Sequence, residues 1–254
     1  MYILFTTVFV LMLGLLIGSF LNVCIYRIPE GISVAKGFSY CPNCKNRIQP
    51  YDLVPVISYL FLKGSCRYCK TRISIQYPLV ELLTSLLFVL VFYQFGLTPL
   101  AGLVAVLVSV LIVITFIDLK HQIIPDELVI IIFVCGIISI FLSGRGIWEH
   151  IIGFFAVSII LLLIAFLSKG GMGGGDIKLM AAAGLFLGWK LILLSLMIAS
   201  IIGSVVSIIL LALKKVNRKS MVPFGPFLSI GILISVLYGD YILWWYLSKF
   251  IFKI

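Results

Sequence analysis

Long apolar stretches alternate with short polar breaks along most of the chain. Stretches of helical length cover 2–25, 79–94, 98–117, 127–143, 147–167, 177–189, 191–213 and 221–237. A helix rising about 1.5 Å per residue needs about 20 residues to cross a hydrocarbon layer about 30 Å thick. The pattern therefore predicts an all-α polytopic membrane protein with about eight transmembrane helices, the sixth of them short. Residues 1–26 carry no acidic or basic side chain, and Arg27 is the first. A cleaved secretory signal would open with a basic segment and have a shorter apolar core, so this stretch reads as a retained helix. No low-complexity tract or internal repeat interrupts the pattern, which argues against a solenoid.

Composition strengthens this reading. The chain is 63% hydrophobic and 11% charged, with a net charge of +10 and a mean hydropathy of +1.26. Soluble domains carry about 25% charged residues, so a soluble fold is excluded. The positive charge would suit nucleic acid, but its distribution points to topology. Eight spans would alternate the connections between two sides. One side takes 27–78, 118–126, 168–176 and 214–220. With Lys178, these hold every Lys and Arg except Arg145, Lys190, Lys249 and Lys253. Positive residues accumulate in cytoplasmic loops, which places that side in the cytoplasm and the N-terminus outside. The expected organisation is a first helix over 1–26, a small cytoplasmic domain over 27–78, and a membrane domain of about seven helices over 79–254. Lipid is an expected partner and nucleic acid is not.

Residues 27–78 contain two Cys-x-x-Cys pairs, Cys41 with Cys44 and Cys66 with Cys69, separated by 21 residues. Each pair can present two thiolates from one knuckle, and two knuckles complete a tetrahedral zinc site. Two disulfides are the alternative, disfavoured in a reducing cytoplasm. A closed four-thiolate site has no open coordination position, so its role is structural, and a segment this small needs such a staple. Cys24 and Cys135 fall inside apolar stretches and read as packing residues.

Nine Asp and Glu occur in the whole chain. Asp118 closes the third apolar stretch, and Asp176 opens the sixth after the run "KGGMGGG". Both fall on the side assigned to the cytoplasm, 58 positions apart in sequence. An ionisable group near membrane depth is a functional candidate by default. The run matches neither a P-loop nor a dinucleotide fingerprint. It reads either as a flexible connector or as a place where an extended peptide backbone approaches an acid, with Gly173, Gly174 and Gly175 nearest to it. Two neighbouring carboxylates share one proton, leaving one as base and one as hydrogen-bond donor. The helix dipole predicts Asp176, near a helix N-terminus, as the more readily ionised member.

Asp126 and Glu127 follow Pro125 and read as helix-start acids. Glu81 reads the same way or faces a cavity. Glu149 and Asp240 fall on the outer side and Asp52 and Glu30 in the small domain, solvated or paired. His121 reads as a surface residue and His150 as an outer one. Ser19 and Asn22, three apart, share a helix face and predict interhelical hydrogen bonds.

Taken together, "GSFLNVCIYRIP" at Gly18–Pro29, the paired Cys-x-x-Cys motifs, "YPLVELL" at Tyr77–Leu83, Asp118 with "IPD" downstream, and "GMGGGDIK" at Gly171–Lys178 resemble the bacterial type IV prepilin peptidases. The resemblance covers the first six apolar stretches; the last two fit in number only. It implies a GxGD-type membrane aspartic endopeptidase of the bacterial cell (inner) membrane, with Asp118 and Asp176 as its catalytic pair. The implied substrates are prepilins and pseudopilins, cut after the glycine that ends a short basic leader. It also implies N-methylation of the new N-terminus from S-adenosylmethionine, with Asn22, Asp52 and Glu81 as candidate cofactor-binding residues. Two other readings compete: a proton-coupled transporter built on the two acids, and a non-enzymatic pilus or secretion assembly factor with the zinc module as a docking platform.

Overall fold

The structure is a computed structural model and describes residues 2–168, 172–214 and 222–251. Gly170, Gly171 and most of the basic connection at 214–220 lie outside the described residues. The described residues are helical, with no β-strand and two isolated β-bridges. They form two compact units, Met1–Val113 and Ile114–Ile254, divided within one long helix.

The first unit holds α1 (Tyr2–Arg27), a 3-10 turn (Pro50–Leu53), α2 (Ile57–Phe61), α3 (Gln76–Phe95) and the first part of α4 (Pro99–His121). α1 and α3 pack along each other because Gly14 and Gly18 remove the side chains between them. A Cβ on Gly18 would lie 2.7 Å from Glu81 Cα, and one on Gly14 only 2.5 Å from Ser85 Cα. Small residues let membrane helices approach to backbone contact. Polar groups then bridge the pair: Ser85 donates to Leu11 O at 2.9 Å and Asn22 Nδ2 to Tyr77 O at 3.0 Å. Buried Arg27 ends α1 by donating to the carbonyls of Ser33, Lys36 and Phe38, which turns the chain into the cysteine-bearing segment.

The second unit continues from the end of α4 through α5 (Asp126–Leu142), α6 (Ile147–Leu167), α7 (Gly174–Leu187), α8 (Trp189–Ala212) and α9 (Gly225–Tyr246). α7 is its centre and packs against α5, α6, α8 and α9. Every residue of α7 from Leu179 to Leu187 is buried. The Ala181–Gly184 run permits this, and at the α6 crossing the backbones meet: a Cβ on Gly153 would fall onto the Gly184 carbonyl oxygen.

Among the described residues eight helices stand where eight spans were predicted, and of these α1, α3, α4, α6, α8 and α9 are long and apolar enough to cross a membrane. α5 has 17 residues and α7 has 14, so α7 is only about 21 Å long. It can stop short because its C-terminal carbonyls, which hydrocarbon would leave unsatisfied, all have partners. The Gly188 N–H reaches Gly184 O at 2.9 Å. His150 Nδ1 reaches Leu185 O at 2.8 Å, Ser139 reaches Phe186 O at 3.2 Å, and Arg145 reaches Leu187 O at 2.5 Å. His150, expected on the outer side, is fully buried within the helices. α9 also runs past the predicted limit of 237 to Tyr246. Asp240 lies within it, its exposed carboxylate paired with Arg145 at 2.8 Å.

Candidate active site and metal centre

The two Cys-x-x-Cys pairs form knuckles of the same build. Lys45 N–H bonds Cys41 O at 2.9 Å, and Lys70 N–H bonds Cys66 O at 3.1 Å. Lys45 and Lys70 both take positive φ, 59° and 58°, and an isolated antiparallel bridge closes each knuckle, Tyr40 with Arg47 and Ser65 with Arg72. The four Sγ atoms lie within 4.8 Å of one another, with Cys41 to Cys69 at 3.8 Å and Cys44 to Cys66 at 4.0 Å. A tetrahedron with Zn–S bonds of about 2.3 Å sets its sulfurs about 3.8 Å apart, so the thiols fit a metal ion. They are not paired as disulfides. Thr71 Oγ1 and Asn43 Nδ2 flank the Cys69 sulfur at 3.3 and 3.7 Å.

The three candidate cofactor residues lie in this first unit and differ in how far they are already committed. Asp52 is held by Arg67 in a two-pronged pair at 2.6 and 2.9 Å, and that guanidinium holds its carboxyl below the usual range. Glu81 is buried; its Oε2 accepts the Val56 N–H at 2.8 Å, and Ser19 adds a side-chain hydrogen bond. Val56 itself sits at φ 59°, an outlier for a β-branched residue, so Glu81 pins a strained turn of the cysteine-bearing segment. Asn22 leaves its buried Oδ1 without a hydrogen-bond partner.

The two aspartates belong to the second unit. Asp118 sits in the last turn of α4, buried, and its Oδ2 accepts the backbone N–H of Gly225 at 3.0 Å. Asp176 occupies the first turn of α7, half-buried. Burial, with the nearby Asp118 carboxylate as second cause, pushes its carboxyl up to about 6. The lowering expected from the helix N-terminus is therefore outweighed. Between the two acids runs the Ile124–Pro125 turn. A Cβ on Gly175 would lie 2.9 Å from Ile124 Cβ, and one on Gly225 3.3 Å from Ile124 Cδ1. The open side of Gly175 is thus filled by Ile124, whereas Gly174 faces open space and Gly173 only its own turn's Asp176.

Asp126 begins α5, as expected of a helix-start acid, and its carboxylate also binds Lys178 Nζ at 2.8 and 2.9 Å. Both side chains are more than half exposed, so the pair contributes little stability. At the opposite end of these helices, Arg145 pairs with Asp240 and Lys190 with Glu149. A cavity of about 330 Å³ opens between α8 and α9 beside Ser200, Ser204, Phe224 and Phe227; neither aspartate lines it. Gly225 and Ile124 were not singled out in the sequence. Their only trace there is a glycine between two prolines in "VPFGPF" and the residue ahead of "PD".

These features define a multi-pass helical membrane protein whose described residues include a four-thiol cluster and two carboxylates at helix ends that meet around Ile124. Residues 105–208 match the type IV leader peptidase family, and residues 12–95 match the bacterial peptidase A24 N-terminal domain. Similar proteins named prepilin leader peptidase/N-methyltransferase occur in Aeromonas salmonicida (38% identical, 94% of this chain and 93% of that one) and Stutzerimonas stutzeri (36%, 91% and 90%). Another, from Bacillus subtilis, is 32% identical over 92% of this chain and 95% of its own. The chain belongs to the type IV leader peptidase family and is an enzyme of that class. No solved structure matches it.

Proposed function

We propose that the enzyme removes the basic leader from prepilins and pseudopilins at the cytoplasmic face of the cell membrane, with Asp118 and Asp176 as its catalytic pair. The observation that carries this reading is that two carboxylates from different helices flank one side chain: Gly175, beside Asp176, and Gly225, against Asp118, both abut Ile124. A pair of this kind holds one proton between them. The ionised member takes a proton from water as its oxygen attacks the scissile carbonyl carbon. The protonated member gives its proton to the carbonyl oxygen. Collapse of the tetrahedral species breaks the C–N bond, the base passes its proton to the leaving amine, and the acid recovers a proton from the hydroxyl. The glycines at 173 and 174 leave room for an extended backbone beside Asp176. The accumulation of Lys and Arg in the connections next to both acids supports a cytoplasmic site, where a leader that is never exported remains accessible.

The four thiols hold zinc as a structural ion. Bound there, the metal supplies a cross-link that orders the segment between α1 and α3. The names of the relatives support a second activity, N-methylation of the new N-terminus with S-adenosylmethionine as donor. The decisive experiment co-expresses a prepilin with the wild type, Asp118→Asn or Asp176→Asn and follows the prepilin's mass. Each variant is expected to leave the leader attached; removal that persists in both overturns the peptidase mechanism. A single methyl increment on the processed product tests the second activity, and its absence with cofactor supplied refutes it.

A further inference from the structure

The N-terminus of α9 has a peculiarity with a direct effect on Asp118. Pro226 has no N–H, and the N–H groups of Phe227 and Leu228 both bond Phe224 O, at 3.0 and 3.1 Å. The Gly225 N–H is the donor left over, and it goes to Asp118 Oδ2 across 107 positions of sequence. A Cβ at position 225 would lie 2.6 Å from that Oδ2, 3.1 Å from Asp118 Cγ and 3.3 Å from Ile124 Cδ1. All three are side-chain atoms. A larger residue would therefore displace the carboxylate rather than part the helices. Ile124 is the common wall, since it also fills the space beside Gly175, the residue before Asp176.

On the reading that the two aspartates are the catalytic pair, we infer that Gly225 is a positioning residue. Its N–H and its missing side chain hold Asp118 in the ionised, water-activating orientation, which leaves Asp176 as the proton donor. The positive end of α9 and a backbone donor both favour negative charge on Asp118 Oδ2. This is the reverse of the division the helix dipole of α7 alone suggests. The other charged groups at these helix ends are Lys120 and His121 on α4, Glu127 on α5, and Asp126 with Lys178, which neutralise each other.

The test uses the full-length enzyme in detergent or nanodiscs, with a prepilin as substrate, over a range of pH. Gly225→Ala is expected to lower kcat by about 10²-fold, with KM little changed. It is also expected to move the acidic limb of the kcat profile to higher pH, because the ionised base has lost its donor. Its melting temperature is expected to match that of the wild type. If Gly225→Ala yields too little folded protein, the Ile124→Val/Gly225→Ala double variant removes the Cδ1 contact while keeping the approach to Oδ2, and it must show the same limb movement. Wild-type kcat, or a fall in kcat with no movement of the limb, overturns the proposal. Asp118→Asn separates the two levels. If that variant still cleaves, the catalytic pair itself is wrong. If it is inactive while Gly225→Ala behaves as wild type, only the positioning role fails.

Discussion

Gly153→Ala is the substitution whose consequences follow most directly from the packing. A Cβ there falls onto the Gly184 carbonyl oxygen and lies 2.8 Å from the Gly188 carbonyl carbon and 2.9 Å from Gly188 Cα. All of these are backbone atoms of α7 and its end, so no side chain can yield. Carbon contacts prefer about 3.5–4.0 Å, so α6 and α7 must separate by about 1 Å. One turn earlier on α6, His150 reaches Leu185 O at 2.8 Å, and a shift of that size breaks the bond. Overpacking of a tight crossing costs about 1–3 kcal/mol, and an unsatisfied carbonyl adds about 1–3 kcal/mol. α7 carries Asp176 as a rigid body, and a misplacement of about 1 Å can cost about 10²-fold in rate. Melting of the purified protein, followed alongside leader cleavage, is expected to show both losses. Gly184→Ala should behave alike, because its Cβ meets the Gly153 carbonyl. The double variant should be less than additive, since one alanine already opens the crossing. Single variants that retain both melting temperature and cleavage would refute this account of the α6–α7 contact.

Other predictions address the two sites. Asp176 has a folded-state pKa of about 6, above its unfolded value of about 3.9, so the fold favours its protonated form. That contribution is fully present below about pH 4 and is lost as pH rises through 6. Asp176→Asn is therefore expected to be inactive yet to melt higher than the wild type at pH 7–8, and equal or lower melting there contradicts the burial argument. Cys41→Ser or Cys66→Ser should release bound zinc, measured by metal analysis, and make the segment between α1 and α3 sensitive to protease; unchanged metal content refutes the four-thiolate site. Arg145→Ala is expected to destabilise the protein by about 1–3 kcal/mol, because it leaves the carbonyl of buried Leu187 without its side-chain donor; an unchanged melting temperature refutes the cap.

The hydrophobic pattern made the eight helices legible, since apolar length and spacing need no knowledge of neighbours. The Cys-x-x-Cys spacing, the two aspartates and the Ser19–Asn22 face were readable for the same reason: each is a local arrangement on one segment, whereas the close approach at Gly14 and Gly18 emerged only from the packing of α1 on α3. The number of spans was not legible. Whether α7 crosses a membrane depends on His150, Ser139 and Arg145, which cap its end from other helices and appear in sequence as unremarkable polar residues.

The site divides along the same line. The sequence by itself determined which residue types are present, near which helix ends they fall, and that two carboxylates were too few and too deeply placed to be ordinary surface acids. Only the tertiary structure decided their environment. Burial outweighs the helix dipole at Asp176, while the start of α9, more than a hundred residues further along the chain, gives Asp118 a backbone hydrogen bond and a neighbour without a side chain. Charge state follows from desolvation and from donors that arrive through space, and neither is written in the neighbouring residues of the chain.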